Sequence, residues 1–371
     1  MSGKKPNGPI FTSDKEQLTV EFAVAVASDT ESWKHVKRAE ELGFHAGWFY
    51  DTQLLNPDVF ICMALAAANT SKIRLGTGVL IPSNRIEPVT ANALATLNKL
   101  APGRIDFGVG TGFTGRRTMG LKAIPLARMK TYVQRVQSML LGETVDWDFE
   151  GHDRKIRFLN PELGLINIED EIALHISAFG PKSRQLVADL EAGWVNFGSN
   201  QDSLLRDLAT MQNTWETAGN DVGTLHNTLF FLGAVLNGSD SENKQKLLSQ
   251  AGPGTAVMFH NMLDDATPIP INLPASISAT LDEYRRLHAA YEPADAKYLS
   301  NHRGHLMFLR EEEKALITPE FVQATSLSGT EDELVDRLRQ LADAGYHQLV
   351  VQLVNGHESA LEEWADIFEK I

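Results

Sequence analysis

Three glycines follow a short apolar run near the middle of the chain, in the spacing Gly110-x-Gly112-x-x-Gly115. Glycine lets the backbone approach a ligand closely, and this spacing also occurs in dinucleotide-binding loops. Such a loop opens a helix and is followed about 20 residues later by an acidic residue that binds ribose. The residue at that position here is Arg135. The spacing therefore predicts glycines that admit a ligand at the end of a strand, rather than a Rossmann loop.

A second stretch with binding chemistry runs from Phe179 to Ser183, between a predicted strand and a predicted helix. Pro181 suits the first helical turn, and the free amides that follow it can bind a phosphate. Lys182 adds positive charge, and the Ser183 hydroxyl adds a hydrogen-bond donor. A simple helix entry through Gly180 is the alternative interpretation.

Asp51 and Thr52 end the second predicted strand, where functional side chains lie in parallel α/β barrels. They would hydrogen-bond a cofactor or a substrate; the alternative is an aspartate that caps the following loop. The sequence does not identify any residue of the chain as a catalytic base. Asp51, Thr52 and Arg85 are candidates for a catalytic role, and the catalytic residue itself is not predicted.

Histidines are concentrated in one late stretch, which contains His260, His288, His302 and His305. His302 and His305 are three residues apart, but no carboxylate or cysteine set completes a metal site. Metal binding is therefore not predicted. His175, on a predicted strand, is interpreted as a core histidine that points into the barrel.

Strand-like and helix-like segments alternate along the chain. The predicted strands are 20–27, 46–50, 73–80, 104–109, 173–178, 194–197, 229–236 and 349–354. Because nearly all of them precede a helical segment, we expect a parallel sheet covered by helices. Eight such units favour an α/β fold with a single closed (β/α)8 TIM barrel over residues 1–371.

Two stretches do not fit the alternation and are interpreted as insertions. Residues 143–172 precede the fifth strand, and residues 250–327 precede the eighth strand and its helix. Long insertions in barrels usually cover the catalytic face. The second insertion contains large apolar residues that either form its own core or line a pocket for an apolar ligand: Met258, Phe259, Met262, Tyr284 and Tyr291.

The composition excludes some classes of partner. The 371 residues carry a formal net charge of −14, which argues against nucleic acid and anionic membranes. The single cysteine, Cys62, lies in an apolar stretch; it excludes a disulfide framework and is interpreted as a buried small residue. The first residues lack the apolar core of a signal peptide, and no apolar run is long enough to cross a bilayer. We expect a cytoplasmic protein.

Several short motifs, in their order along the chain, resemble the bacterial luciferase-like superfamily. They are residues 73–82, 88–91, 94–97, 101–104, 107–110, 117–121, 177–181 and 329–333. Residues 51–55 are similar to the methylenetetrahydromethanopterin-reductase-like branch. The resemblance covers about residues 20–240 and 326–355. The chain departs from the pattern at residues 84–88, Asn-Arg-Ile-Glu-Pro, where relatives usually carry Arg-His-Pro.

The resemblance implies a barrel that binds FMN or the deazaflavin coenzyme F-420 at its C-terminal mouth. It implies a non-prolyl cis peptide bond at Gly78–Val79, which would support the ring of the cofactor. The cofactor-binding residues that it implies are Asp51, Thr77, Gly78, Val79, Thr111, Gly112, Arg116, Ser177, Ala178, Phe179, Gly180, Pro181, Lys182 and Ser183.

The resemblance also suggests an activity. We expect a two-component monooxygenase that takes reduced FMN from a separate flavin reductase and uses oxygen on a small apolar organic substrate. The alternative is a reductase or dehydrogenase that moves a hydride with F-420, and a remote alternative is a non-catalytic flavin-binding protein. Related barrels form homodimers or higher homo-oligomers, and we expect the same here.

Overall fold

The computed structural model describes residues 20–264 and 277–371. Eight parallel strands close into a barrel, in the neighbour order β1-β10-β9-β8-β7-β4-β3-β2. The barrel strands are β1 (Glu21–Val26), β2 (Ala46–Phe49), β3 (Arg74–Thr77), β4 (Ile105–Val109), β7 (Ala173–Ser177), β8 (Gly193–Phe197), β9 (Asn227–Phe231) and β10 (Gln348–Gln352). The predicted TIM barrel with its eight strands is confirmed.

Helices surround the barrel and build its long second insertion. The bounds are α1 (Ser32–Glu41), α2 (Val59–Asn69), α3 (Glu87–Leu100), α4 (Phe113–Arg117), α5 (Leu126–Leu140), α6 (Pro181–Asp189), α7 (Gln201–Thr217), α8 (Asp240–Lys246), α9 (Gly252–Met262), α10 (Ser278–Ala289), α11 (Tyr298–Asn301), α12 (Glu311–Lys314), α13 (Pro319–Thr325), α14 (Glu331–Ala344) and α15 (Ala360–Phe368). A π-helical turn, Leu247–Ala251, joins α8 to α9. Short 3-10 turns lie at Pro82–Asn84, Pro161–Leu163 and Val222–Thr224.

Helix α14 begins and ends where its sequence predicts. The backbone amide of Thr330 donates to the Glu333 carboxylate at 2.8 Å, as in a capping box. Gly345 ends the helix with a φ of +117°, a left-handed conformation that glycine adopts without a steric cost.

The inside of the barrel is a small core of its own, distinct from the larger core between strands and helices. Its largest side chain is Trp48, which is fully buried. A Cβ added to Gly76 would lie 2.4 Å from the Trp48 ring, so glycine on β3 leaves the space that this indole fills. His175 is also buried and packs edge-on against Trp48, as predicted for a core histidine.

The first insertion contains a two-stranded antiparallel hairpin, β5 (Val145–Phe149) and β6 (His152–Ile156). It joins the end of α5 to the start of β7 and contacts α3 and α5, so it packs along the side of the barrel. Trp147 donates to Glu87 on α3 at 2.9 Å, which fixes the hairpin to the side of the barrel. The expectation that a long insertion covers the catalytic face stays a prediction for this one.

The second insertion does lie at the mouth, because it joins the end of β9 to the start of α14. Leu236 donates its amide to Gly329 at 2.8 Å, so the excursion begins directly after residue 236, earlier than the predicted residue 250. Phe259 and Tyr284 stack with ring centroids 4.3 Å apart in a core that belongs to the insertion. These two residues therefore form a core, whereas part of the predicted insertion, residues 265–276, lies outside the described residues.

Two further expectations concern the environment of the chain. Cys62 is buried, as predicted. Among the helices in the described parts of the chain, none combines the length and the apolar character that a bilayer crossing requires.

Candidate active site

The end of strand β3 forms the centre of the candidate site. The Gly78–Val79 peptide bond is cis, as the resemblance predicted. A Cβ on Gly78 would lie 3.1 Å from Trp48 and 3.3 Å from Phe230, so this peptide rests on the inner core of the barrel. The next residues along the mouth are those that follow β4 and end β7.

Gly110 leaves the space that brings these strand ends together. A Cβ at this position would lie 2.8 Å from a methyl carbon of Val79 and 3.6 Å from the Cβ of Ser177. The three residues stand at the ends of β3, β4 and β7, which are neighbours in the barrel. We call this close-packed group of strand ends the cradle; that a ligand approaches its backbone stays a prediction, because side chains of the protein itself lie beside Gly110.

The loop after β4 continues this side of the mouth. Thr111 accepts the amide of Ile124 through its carbonyl at 2.9 Å, which fixes the loop against the chain that leads into α5. Gly112 has a φ of +83°, and Ile81 lies within 2.6 Å of where its Cβ would be. A larger residue at position 112 would therefore be excluded by both conformation and space.

The predicted phosphate site is an exposed turn at the start of α6. The Ser183 hydroxyl accepts the Gly180 amide at 3.1 Å and lies 2.9 Å from the Gly180 carbonyl, so it shapes the turn. Pro181 and Lys182 are exposed, and the Phe179 ring is 56% exposed. Pro181 has no N–H, and the amides of Gly180 and Ser183 are bonded within the turn, so at the start of this helix the Lys182 amide remains beside the lysine charge. Ala178 lies beneath, buried, with its carbonyl bound to the Trp194 indole at 2.8 Å.

Asp51 is buried, and both oxygens of its carboxylate have hydrogen-bond partners. Its carboxylate accepts one nitrogen of Arg85 at 3.0 and 3.1 Å and the amide of Ile81 at 3.0 Å. Arg85 also donates to Asp58 at 2.6 Å. Asp51 and Arg85 therefore brace the loop after β3, and the geometry does not favour Asp51 as a free base.

Three more of the predicted residues have side chains that bind the protein itself. The Thr77 hydroxyl donates to the Gly108 carbonyl at 2.7 Å between two strands, and Thr77 is fully buried. The Thr52 hydroxyl binds the side chain of Asn56, and Arg116 donates to the Lys122 carbonyl. That these side chains contact a cofactor stays a prediction: the two hydroxyls have local partners, whereas Arg116 uses only its Nε in the bond to Lys122.

Sequence reasoning missed two polar residues that point into the mouth from the opposite half of the barrel. Tyr50 follows β2, and its phenol donates to the Gln352 side-chain oxygen at 3.3 Å; both residues are buried. Strand alternation could have found them. Residues 46, 48 and 50, and likewise 348, 350 and 352, share one face of their strands, and that face is inside the barrel.

The second insertion closes over this half. Met307 packs against the inner core of the barrel, and its sulfur lies 3.5 Å from the Asn56 amide nitrogen. On the other side, His305 contacts the Thr114 hydroxyl at 3.0 Å, and Arg117 donates to Asn261 at 2.8 Å. Helix α4, which follows the loop after β4, is thus fixed directly to the insertion.

Buried histidines in the insertion do meet carboxylates, which the sequence did not predict. His260 lies 2.5 Å from Glu313, and His302 lies 2.8 Å from Asp264. Burial, together with His260, His302 and Arg117, holds the pKa of His305 well below its usual value. Among the described residues, no group of three or more His, Cys, Asp or Glu has an arrangement that could hold a metal ion.

Comparisons with known proteins agree with this architecture. Residues 23–348 match the family of luciferase-like monooxygenases. The 5,10-methylenetetrahydromethanopterin reductase of Archaeoglobus fulgidus is 24% identical over 341 residues, which are 89% of this chain and 92% of that protein.

Solved structures share the fold. The coenzyme F-420-dependent tetrahydromethanopterin reductase of Methanopyrus kandleri matches with a TM-score of 0.67 and 19% identity, over 93% of this chain and 97% of that one. The oxygenating constituent of 3,6-diketocamphane monooxygenase of Pseudomonas putida, in complex with FMN, matches with a TM-score of 0.62 and 14% identity, over 95% and 97%. The chain therefore belongs to the luciferase-like monooxygenase family and is an oxidoreductase of the flavin and F-420 type.

Proposed function

We propose that this chain is an oxidoreductase that uses coenzyme F-420 to move a hydride to or from a small organic substrate. The observation that carries the proposal is the cradle of Val79, Gly110 and Ser177 beside the cis peptide at Gly78. In the proposed complex a flat tricyclic ring packs against this group of strand ends. The turn at Gly180–Ser183 lies at the end of the same strand as Ser177 and fits the phosphate of the same cofactor.

The choice of F-420 over FMN is supported by the relatives and by the charges near the mouth. The relative from Archaeoglobus matches over nearly its whole length, and its Methanopyrus counterpart is named as F-420-dependent. Lys122 and Arg128 are exposed on either side of Ile124, whose amide donates to Thr111 in the loop after β4. Exposed cations at this place suit the acidic tail that distinguishes F-420 from FMN.

When bound, the deazaflavin supplies a carbon that accepts or releases a hydride. The residues of the chain have simpler tasks. The cradle supports the ring, the α6 turn binds the phosphate, and Phe197, Phe230 and Met307 exclude water from the central mouth. Asp51 and Arg85 hold the loop after β3 in the conformation that forms the cradle.

A monooxygenase that uses reduced FMN and oxygen is the second candidate. The FMN complex from Pseudomonas shares the fold over 95% of this chain, which favours it. This function requires a flavin reductase as a partner.

The deciding experiment is an anaerobic titration of the purified apoprotein with F-420, FMN and reduced FMN, followed by fluorescence and absorbance. We expect micromolar or tighter binding of F-420 and weaker binding of both flavins. Tight binding of reduced FMN with no binding of F-420 would establish the second candidate instead. Binding of none of the three would refute both.

A further inference from the structure

The end of the barrel opposite the mouth contains a cavity of about 330 Å³. Of the residues that line it, Glu21, Arg74 and Gln348 are the first residues of β1, β3 and β10, and His226 directly precedes β9. Because the barrel strands are parallel, these residues share the N-terminal end of the barrel, away from the strand ends that form the cradle. The volume falls in the range of small-molecule sites in proteins, about 300–1,000 Å³.

Acidic side chains outnumber basic ones around this cavity. The carboxylates of Glu21, Asp106, Asp170 and Glu171 line it, and Arg74 is the single arginine or lysine among the described residues that do so. Arg74 donates to the two Asp106 oxygens at 2.6 and 2.9 Å. Although burial opposes it, the Arg74 charge holds the pKa of Asp106 well below its usual value. Four carboxylates against one guanidinium leave a formal excess of three negative charges.

Two histidines add neutral acceptors to the carboxylates. His175 lines the cavity and is 4% exposed, and among the described residues its Nδ1 has no hydrogen-bond partner. Loss of water around His226, together with the neighbouring His175 and His347, lowers the pKa of His226 well below its usual value. This imidazole therefore stays neutral at pH 7 and adds no positive charge. The cavity offers carboxylates and imidazole nitrogens to a ligand that carries positive charge and N–H donors.

The positions of the carboxylates distinguish between kinds of cation. Within the parts of the chain that the structure describes, no group of three or more His, Cys, Asp or Glu has an arrangement that could hold a metal ion. Glu21 begins β1, and Glu171 lies two residues before β7. These strands are four positions apart in either direction around the barrel, so the two carboxylates approach the cavity from opposite sides. A molecule with a positive charge at each end can reach both, whereas a single ion cannot.

We propose that this cavity binds a small organic dication of the aliphatic diamine class, with one ammonium group at Glu21 and the other at Glu171. The inner core of the barrel lies between this site and the cradle. Trp48 of that core donates to Gln348 at the cavity at 2.9 Å, and a Cβ on Gly78 at the cradle would lie 3.1 Å from the same residue. The proposal therefore does not rest on the proposed function.

Isothermal titration calorimetry of the full-length chain with 1,4-diaminobutane, at fixed ionic strength, tests the proposal. 1,4-Butanediol is the uncharged analogue, and 1-aminobutane is the analogue with a single charge. The test variants are Glu21→Gln and Glu171→Gln, which remove a charge and keep the size of the side chain. The matched control is Glu169→Gln, which removes the same charge from an exposed residue outside the cavity lining.

We expect the diamine to bind with a Kd of about 1 mM or lower, the monoamine to bind more weakly, and the diol not to bind. Each test variant should weaken diamine binding by about 5-fold or more, because each loses a charge-assisted hydrogen bond. Glu169→Gln should bind the diamine as the wild type does. Glu171 is exposed, so its replacement leaves the fold intact and gives a result even if Glu21→Gln fails to fold.

Three outcomes would overturn the proposal. The first is the absence of diamine binding to the wild type. The second is an equal loss of affinity in the control and in the test variants, which would show attraction by the net charge of the chain. The third is displacement of the diamine by an equal concentration of Mg²⁺ or K⁺, which would identify an inorganic cation. The titration with F-420 and the flavins is independent of all three, so either proposal can fail alone.

Discussion

A single terminal nitrogen of Arg85 lies 3.0 and 3.1 Å from the two carboxylate oxygens of Asp51. The Asp51 carboxylate also holds the amide of Ile81, three residues after the start of the cis peptide. The pair therefore links the end of β2 to the loop that forms one wall of the cofactor cradle.

We predict that Arg85→Met lowers the free energy of unfolding by about 3–5 kcal/mol, because it leaves the Asp51 charge buried without its ionic partner. Chemical denaturation measures the loss. The matched control is Asp58→Asn, which removes the more exposed partner of the same arginine and should cost at most about 1 kcal/mol. Losses of similar size in the two variants would contradict the assignment of Asp51 as the stabilising partner.

Gly110→Ala tests the cradle. The new methyl group would lie 2.8 Å from Val79, in the space that the cofactor ring needs beside it. We predict at least a 10-fold loss of F-420 affinity, measured by fluorescence titration. Gly151→Ala is a control for glycine replacement itself, since its Cβ would meet no atom within 4 Å, although its φ of +77° carries strain. Unchanged affinity in Gly110→Ala would show that the cofactor ring does not bind next to Gly110.

Lys182→Gln tests the phosphate turn. Lys182 is exposed at the start of α6, where its charge adds to that of the helix N-terminus. We predict that the variant binds FMN about 3- to 10-fold more weakly and binds riboflavin, which lacks the phosphate, as the wild type does. The difference should shrink as salt is added, because screening weakens exposed charges. An equal loss for both flavins would mean that Lys182 contacts another part of the molecule.

Acid should destabilise the second insertion. The folded pKa of His305 lies well below its unfolded value of about 6.5, so its contribution to stability is complete above pH 6.5. Below that pH the unfolded chain binds a proton that the folded chain does not, and about 1.4 kcal/mol is lost per pH unit until the folded pKa is reached.

Hydrogen exchange of α9 and α11 between pH 7.5 and 5 measures this loss. His305→Asn should flatten the pH dependence, whereas His152→Gln, at an exposed histidine of the β5–β6 hairpin, should leave it unchanged. A slope that is the same in all three proteins would show that another group carries the acid sensitivity.

The fold follows from local patterns. Each barrel strand is a short apolar run before a helix, so alternation predicted all eight. The course of the insertions was harder to predict. The β5–β6 hairpin follows a helix, and its place along the side of the barrel depends on contacts with α3 and α5 that are distant in sequence. The predicted start of the second insertion, residue 250, was late because α8 (Asp240–Lys246) already belongs to the excursion that leaves the barrel after Val235 pairs with Gly329.

The site was predictable only in part, for a physical reason. Gly78, Val79 and Gly110, which we propose lie next to the cofactor, belong to short motifs that are visible in a sequence. Tyr50 and Gln352 meet across 302 positions, and only the closed barrel brings them together. Thr77 was predicted to contact the cofactor because it stands in a motif, but its hydroxyl is used between strands.

The order of the strands around the barrel separates two tasks along the chain. The residues that we propose for cofactor binding lie between β3 and the start of α6, whereas the lid over the opposite half of the mouth is a single excursion anchored at Val235 and Gly329. Evolution can therefore replace that excursion as one unit and change the substrate, while the residues proposed for the cofactor stay the same. The same arrangement offers an engineer a place to graft a foreign lid between two fixed attachment points.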